Sequence, residues 1–180
     1  TKRFEVRVCE DPGILESAAI YNYDVIILSY YKRTGLSPRA RENFVRYVES
    51  GKGLVSLHFS AAAWWDWPDY DKLVGRVWRE GSGHGPRGKF TVQIVDKQHP
   101  ITRGMSDFEV DDELYAKLKG EVPIHVLASA YSQWSKRTEP MAYVLQRGKG
   151  RVFYLALGHD LRAMDNPGYI RLLCRGTEWA

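Results

Sequence analysis

Cysteine is scarce: two residues in 180, Cys9 and Cys174, near opposite ends of the chain. Neither stands in a CxxC or another zinc-type spacing, so a cysteine metal centre is excluded. Cys9 closes an apolar alternation and Cys174 falls in a helical pattern, which predicts two small core residues and favours a reducing, cytoplasmic compartment. Long apolar runs are also missing. Nothing approaches the roughly 18 residues of a membrane span, so a transmembrane protein is excluded and no membrane partner is expected. Nor is there a basic stripe: Lys and Arg exceed Asp and Glu by 26 − 22 = 4, spread along the chain. Nucleic acid is therefore not an expected partner. Internal repeats, linkers and low-complexity stretches are absent.

What remains is close to the globular average, with 44 % hydrophobic and 27 % charged residues. At roughly 150 residues per domain the chain reads as a single domain over residues 1–180. Folding at this size buries on the order of 70 % of the unfolded surface, enough for a core without staples. The chain opens at Thr1, already inside a strand-like pattern. A native start, a signal peptide or a preceding strand is therefore expected to be absent from this sequence, which leaves targeting unread.

Phe4, Val6 and Val8 alternate with charged residues in FEVRVCED, the pattern of a half-buried strand. DVIILSY (24–30) is a continuous apolar run, as in a strand covered on both faces. A helix follows, with Ser37 as N-cap, Pro38 in the first turn, an apolar stripe of Ala40, Phe44, Val45 and Val48, and Gly51 to end it. GLVSLHFS (53–60) is a second buried strand. Strand, helix and strand in this order make a βαβ unit and predict a parallel sheet. Further on, a short helix is expected over 68–75, strands over 89–95, 123–130 and 151–158, and a hairpin partner for the last over 141–146. Asp165 or Asn166 caps a closing helix through Tyr169 and Leu172. The whole reads as α/β with a mostly parallel sheet.

Residues 83–88, GHGPRG, satisfy GxGxxG, but a dinucleotide site needs a strand before the glycines and a helix after them. Here the predicted order is the reverse. The same stretch approaches a P-loop with Phe90 where a Ser or Thr should hold magnesium. No nucleotide cofactor is expected.

Ligands in open α/β sheets bind beyond the carboxyl ends of the strands. His58 stands at such an end in the frame Ser56-Leu57-His58-Phe59-Ser60, the outline of a nucleophile elbow with histidine at its apex. His159 follows another strand, and His84 lies in the glycine-rich loop. Asp111, Asp112 and Glu113 form an acidic triplet shortly before Tyr115. Imidazoles and carboxylates suit a divalent metal or acid–base work near neutral pH. Each also has a structural reading: His58 and His159 as hydrogen-bonded groups at a sheet rim, His84 as a solvated loop residue, the triplet as a helix N-terminus. His99 and His125 read as structural. Trp64, Trp65 and Trp67 suit either core filling or a sugar-stacking wall.

The succession GKGLVSLHFSAA, WPDYDKLVG, His84, HPITRGM, DDELY, GKGRVFYLALGHD and RGTEWA resembles the ThuA-like (trehalose utilisation) family, in order from about Tyr23 to Ala180. The resemblance implies a class I glutamine amidotransferase-like fold, a flavodoxin-like three-layer sandwich, with a first strand and helix missing from this chain. Amidotransferase chemistry itself is not implied, because His58 occupies the apex where those enzymes carry a cysteine. The family's link to catabolism of trehalose and related sugars implies a sugar or 3-keto-glycoside substrate, with a partner oxidoreductase and a homo-oligomer both compatible. On that basis His58, His84 and His159 are expected to hold a divalent metal or act directly. Glu113 or Asp112 would be the base, Tyr115 a proton donor, and Trp64, Trp65 and Trp67 the sugar wall, for isomerisation, elimination or hydrolysis. The competing expectation is a non-catalytic module binding carbohydrate or an oxidoreductase; a nucleotide binder ranks last. Convergence of the three imidazoles to within about 4 Å of one point favours the enzyme, and scatter beyond about 10 Å the module.

Overall fold

The computed structural model describes residues 3–180. Seven strands form one sheet in the order β1-β2-β9-β8-β7-β4-β5. They are β1 (Val25–Leu28), β2 (Gly53–Leu57), β4 (Gly88–Ile94), β5 (Phe108–Asp112), β7 (His125–Ser132), β8 (Arg137–Arg147) and β9 (Gly150–Leu155). Two further strands, β3 (Gly83–His84) and β6 (Tyr115–Ala116), pair with each other. The helices are α1 (Pro38–Glu49), α2 (Tyr70–Val74), α3 (Leu161–Met164) and α4 (Pro167–Trp179).

The expected α1 forms as its sequence dictates. Ser37 Oγ accepts from the Ala40 amide at 3.1 Å, Pro38 opens the first turn, and Ala40, Phe44, Tyr47 and Val48 face the core. Gly51 ends it at φ +114°, a left-handed conformation that favours glycine. Asn166 caps α4 by accepting the Gly168 and Tyr169 amides. Beyond the expected elements, Asp160 caps the short α3 by accepting from the Ala163 amide at 3.1 Å.

Alternation along β9 sets the layers. Phe153 packs against the α4 backbone at Gly176, where an added Cβ would lie 2.1 Å from its ring. The next residue, Tyr154, stacks on Tyr143 at 4.9 Å between centroids, and the Tyr143 hydroxyl reaches the Val74 carbonyl of α2 on the opposite face.

Four expectations need correction. The sheet is mixed rather than mostly parallel: β1, β2 and β9 run parallel, whereas β8, β7, β4 and β5 are joined antiparallel. The β7–β8 and β8–β9 pairs are antiparallel because the connections after Ser132 and Arg147 are tight turns, too short for a crossover helix. FEVRVCED is not a strand, and its Val6 and Val8 are 67 % and 86 % exposed. An alternating segment becomes a strand only beside a partner, and it has none among the described residues. Cys9 on that segment is exposed and Cys174 is half-buried, so neither is a core residue. β1 is an edge strand with Ile27 exposed, not a strand covered on both faces.

The packing at Gly176 gives a stability test. Gly176→Ala should cost about 1–3 kcal/mol by overpacking against the buried Phe153. Gly88→Ala, where no atom lies within 4 Å of an added Cβ, should stay within about 0.5 kcal/mol; urea denaturation of both variants measures the contrast.

Candidate functional site

β2 and β9 are parallel neighbours with Leu57 opposite Leu155, so their carboxyl ends open side by side. His58 follows directly on β2, and His159 follows β9 after a short loop. His58 turns at φ +25°, strained for a residue with a side chain, and the Ser56 and Ser60 hydroxyls meet beneath it at 2.6 Å. Small residues on either side of the apex are therefore used as an elbow uses them, to close a tight turn. His84 and Tyr115 face each other across the β3–β6 pair, which brings both to the same rim.

Glu113 is where these elements meet. Its Oε2 lies 3.0 Å from His159 Nδ1 and 3.7 Å from both His58 Nε2 and His84 Nε2. The ligand atoms of His58, Glu113 and His159 all fall within 4.8 Å of one another; His84 joins the group through Glu113. The expected convergence of the histidines is thus present, with a carboxylate as its hub.

The protonation pattern follows from the hydrogen bonds. His58 Nδ1 donates to the Ala156 carbonyl at 2.5 Å and His84 Nδ1 to the Gly85 carbonyl at 2.7 Å. Each ring therefore turns its Nε2 toward Glu113. His58 is 1 % exposed and its Nε2 has no hydrogen-bond partner; His159 Nδ1 is likewise unpartnered, since the carboxylate 3.0 Å away is not aligned to accept from it. Burial pushes the His58 pKa down from 6.5 to about 4, outweighing the Ala156 carbonyl and Glu113, which raise it. His58 is thus neutral at pH 7, and its approach to Glu113 is no ion pair. Imidazole nitrogens without hydrogen-bond partners beside a carboxylate oxygen are an arrangement a cation can complete.

Asp112 sits at the end of β5, 1 % exposed. One oxygen accepts the Glu113 and His159 amides at 2.8 and 3.1 Å, and the other accepts Gly158 at 2.7 Å. Burial raises its pKa while those three donors act against it. With both oxygens engaged by backbone it positions Glu113 and His159 and does not face the open side, contrary to its expected role as a base. The acidic triplet ends a strand and is not a helix N-terminus. Tyr115 is buried with its ring 3.9 Å from that of His58; burial, then Glu113 and Asp112, hold its hydroxyl protonated well above the ordinary 10.

The tryptophan wall is not at the site. Trp64 is fully buried among Tyr30, Phe44, Trp67 and Tyr70, and Trp67 is 6 % exposed. Trp65 carries the guanidiniums of Arg33 and Arg79 against its ring. Trp64 and Trp67 serve as core because the segment turns inward after the elbow, with Trp64 and Trp65 amides bonded to the Lys32 and Arg33 carbonyls. The aromatic groups that do border the cluster are Phe59, 5.3 Å from His159, and Trp78, 5.9 Å from His84. Phe59 was visible in the elbow frame; nothing in the sequence around Trp78 marks it. GHGPRG runs from one strand into another, so no helix N-terminus faces those glycines. His99 and His125 are structural as expected, with Asp96 accepting from the Gln98 and His99 amides and pairing with His125 at 2.9 Å.

An α/β sheet with a histidine–carboxylate cluster at its parallel carboxyl edge defines the class of protein. The chain belongs to the ThuA, trehalose utilisation, family, whose model matches residues 1–180. Among solved structures it resembles a ThuA-like protein of Parabacteroides merdae, at 26 % identity over 88 % of this chain and 70 % of that one, TM-score 0.80. A ThuA-like protein of Bacteroides uniformis follows at 20 % identity, over 95 % and 74 % of the two chains, TM-score 0.74. A cytoplasmic protein of Salmonella typhimurium shares the fold at 16 % identity, over 93 % and 78 %, TM-score 0.67. No protein of curated function matches the sequence. Among the described residues no helix is long and apolar enough to cross a membrane.

The buried imidazole gives a pH test. The unfolded chain protonates His58 below about pH 6.5, the folded chain only near pH 4, so stability should fall as pH drops through that window. Thermal unfolding of chelator-treated protein should show this slope, and His58→Gln should flatten it.

Proposed function

We propose that the chain is an enzyme acting on a trehalose-related or 3-keto-glycoside sugar by metal-assisted acid–base chemistry. The observation that carries this reading is the meeting of His58 Nε2, His159 Nδ1 and Glu113 Oε2 within 4.8 Å of one another. Two imidazoles and one carboxylate form a set that suits a divalent transition metal and leaves a coordination position open. When bound, such a cation polarises a sugar carbonyl oxygen and so acidifies the adjacent C–H bond. The chain's own residues divide the remaining work. His84, expected among the metal ligands but outside the compact trio, turns its Nε2 to accept the proton from that carbon, a role expected of Glu113 or Asp112. Returning the proton to a neighbouring atom gives isomerisation; departure of a substituent gives elimination. Tyr115, protonated and against His58, is the donor on the closed side. Asp112 holds Glu113 and His159 in place.

The flavodoxin-like description fits the parallel half of the sheet and belongs to this proposal, as does a cytoplasmic location, which the free thiols favour. The alternative of a non-catalytic binding module required dispersed histidines, and three imidazoles within 3.7 Å of one carboxylate oxygen do not favour it.

Elemental analysis should find about one divalent metal per chain, lost in His58→Ala and Glu113→Gln with folding intact by circular dichroism. His84→Ala should keep the metal and lower kcat on a 3-keto-glycoside by about 10²–10⁴-fold. Unchanged turnover in His58→Ala would defeat the proposal.

A further inference from the structure

The glycine-rich run 83–88 carries His84 but has little of its own to hold it. Its pairing as β3 is two residues long, Gly83 with Ala116 and His84 with Tyr115, and β4 starts only at Gly88, opposite Asp112. Gly85, Pro86 and Arg87 make the connection. Glycine leaves the backbone conformationally free, and proline has no amide to donate. Yet Gly85 supplies the carbonyl that accepts from His84 Nδ1 at 2.7 Å. The orientation of the imidazole therefore depends on this connection staying in place.

Two contacts from elsewhere in the chain fix it. On one flank Trp134, in the turn of the β7–β8 hairpin, lies close against the glycines. A Cβ added at Gly83 would lie 2.6 Å from its ring, and Lys117 Nζ covers that ring at 4.6 Å from the centroid. On the other flank the Arg87 guanidinium reaches two residues at once. Its Nη1 and Nη2 donate to the two carboxylate oxygens of Asp160, Nη2 at 3.0 Å, and Nη2 also donates to the Asp111 carbonyl at 3.2 Å. The buried Nε lies 3.5 Å from Asp111 Oδ1. Asp160 directly follows His159, and Asp111 stands two residues before Glu113. One side chain thus joins the three segments that carry His84, Glu113 and His159. A planar fork can span these groups, whereas a lysine ammonium is a point charge and cannot. Glu113 and His159 are fixed separately, through the backbone amides that Asp112 accepts, so the compact trio does not depend on Arg87.

We propose that Arg87 is a positioning residue: by tying the Gly85–Arg87 connection to Asp160 and Asp111 it holds His84 at the Glu113 carboxylate, and so serves proton transfer rather than metal retention. The inference rests on the acid–base reading of His84, but the placement of the imidazole can be followed without substrate.

Arg87→Gln, Asp160→Asn and the double variant test it. Asparagine keeps an oxygen for the Ala163 amide, so the α3 cap survives in Asp160→Asn. Imidazole nitrogen NMR spectra of chelator-treated protein at about pH 8, above the ordinary imidazole range, should show wild-type His84 protonated at Nδ1. The His84 signals are assigned by their loss in His84→Gln. In either single variant its two nitrogen shifts should move toward each other as both tautomers become populated, with the His125 signals and circular dichroism unchanged. Metal content should match the wild type, and kcat on a 3-keto-glycoside should fall about 10- to 100-fold with KM within about 2-fold. Arg87→Lys should not restore the rate, and the double variant should fall no further than Arg87→Gln, because the two residues form one contact. Wild-type His84 shifts in both single variants overturn the proposal, as does mixed tautomers already in the wild type. Loss of metal together with the change in shifts also overturns it, since Arg87 then supports the whole site. A wild type without turnover defeats the acid–base reading, while the His84 shifts still decide whether Arg87 holds the imidazole.

Discussion

The buried carboxylate of Asp112 ties together parts of the molecule that the sheet order holds apart. β5 is the far edge of the sheet, separated from β9 by β8, β7 and β4. Its last residue nevertheless accepts amides from Gly158 and His159 in the loop leaving β9. Phe108 of β5 packs on Gly168 at the start of α4, and Asn166 Nδ2 donates to the Glu109 carbonyl, so the antiparallel half wraps back over the parallel half. Gly158 at φ +103°, crowded by the Tyr169 ring, is the one residue type that lets the loop turn its amide inward. A buried carboxylate satisfied by backbone donors is costly to disturb, because loss of either side leaves polar groups unpaired.

From that tie the site follows. Glu113 is the next residue, so fixing Asp112 sets the carboxylate against His159, while the elbow at His58 and the β3–β6 pair bring the other imidazoles to the same point. Each element contributes a single group. Backbone carbonyls at Ala156 and Gly85 choose the tautomers of His58 and His84, and burial keeps His58 unprotonated. The outcome is a pair of imidazoles whose Nε2 atoms face one carboxylate, an orientation set by second-layer contacts rather than by the residues themselves.

The bordering surfaces complete the picture. Phe59 and Trp78 remain partly open, whereas Trp64, Trp65 and Trp67 after the elbow are used for packing or guanidinium stacking. Of the cationic side chains nearby, Arg87 is held by Asp160, Arg162 pairs with Asp111, and Arg33 and Arg79 stack on Trp65.

The sequence by itself determined the local features whose signals lie within a few residues. The α1 cap at Ser37 and Pro38, the βαβ unit, the elbow frame around His58 and the candidate histidines are all of this kind. It misjudged features that depend on a neighbour. Alternation in FEVRVCED reads as a strand whether or not a partner exists, and Trp64 reads the same in a wall or a core. Asp112 and Glu113 are adjacent and chemically alike, and only the fold assigns one to the backbone and the other to the cluster. Which carboxylate meets which imidazole depends on how far the sheet curls. That is settled by long-range packing of β5 onto α4, a contact between residues some 60 positions apart that no local pattern encodes.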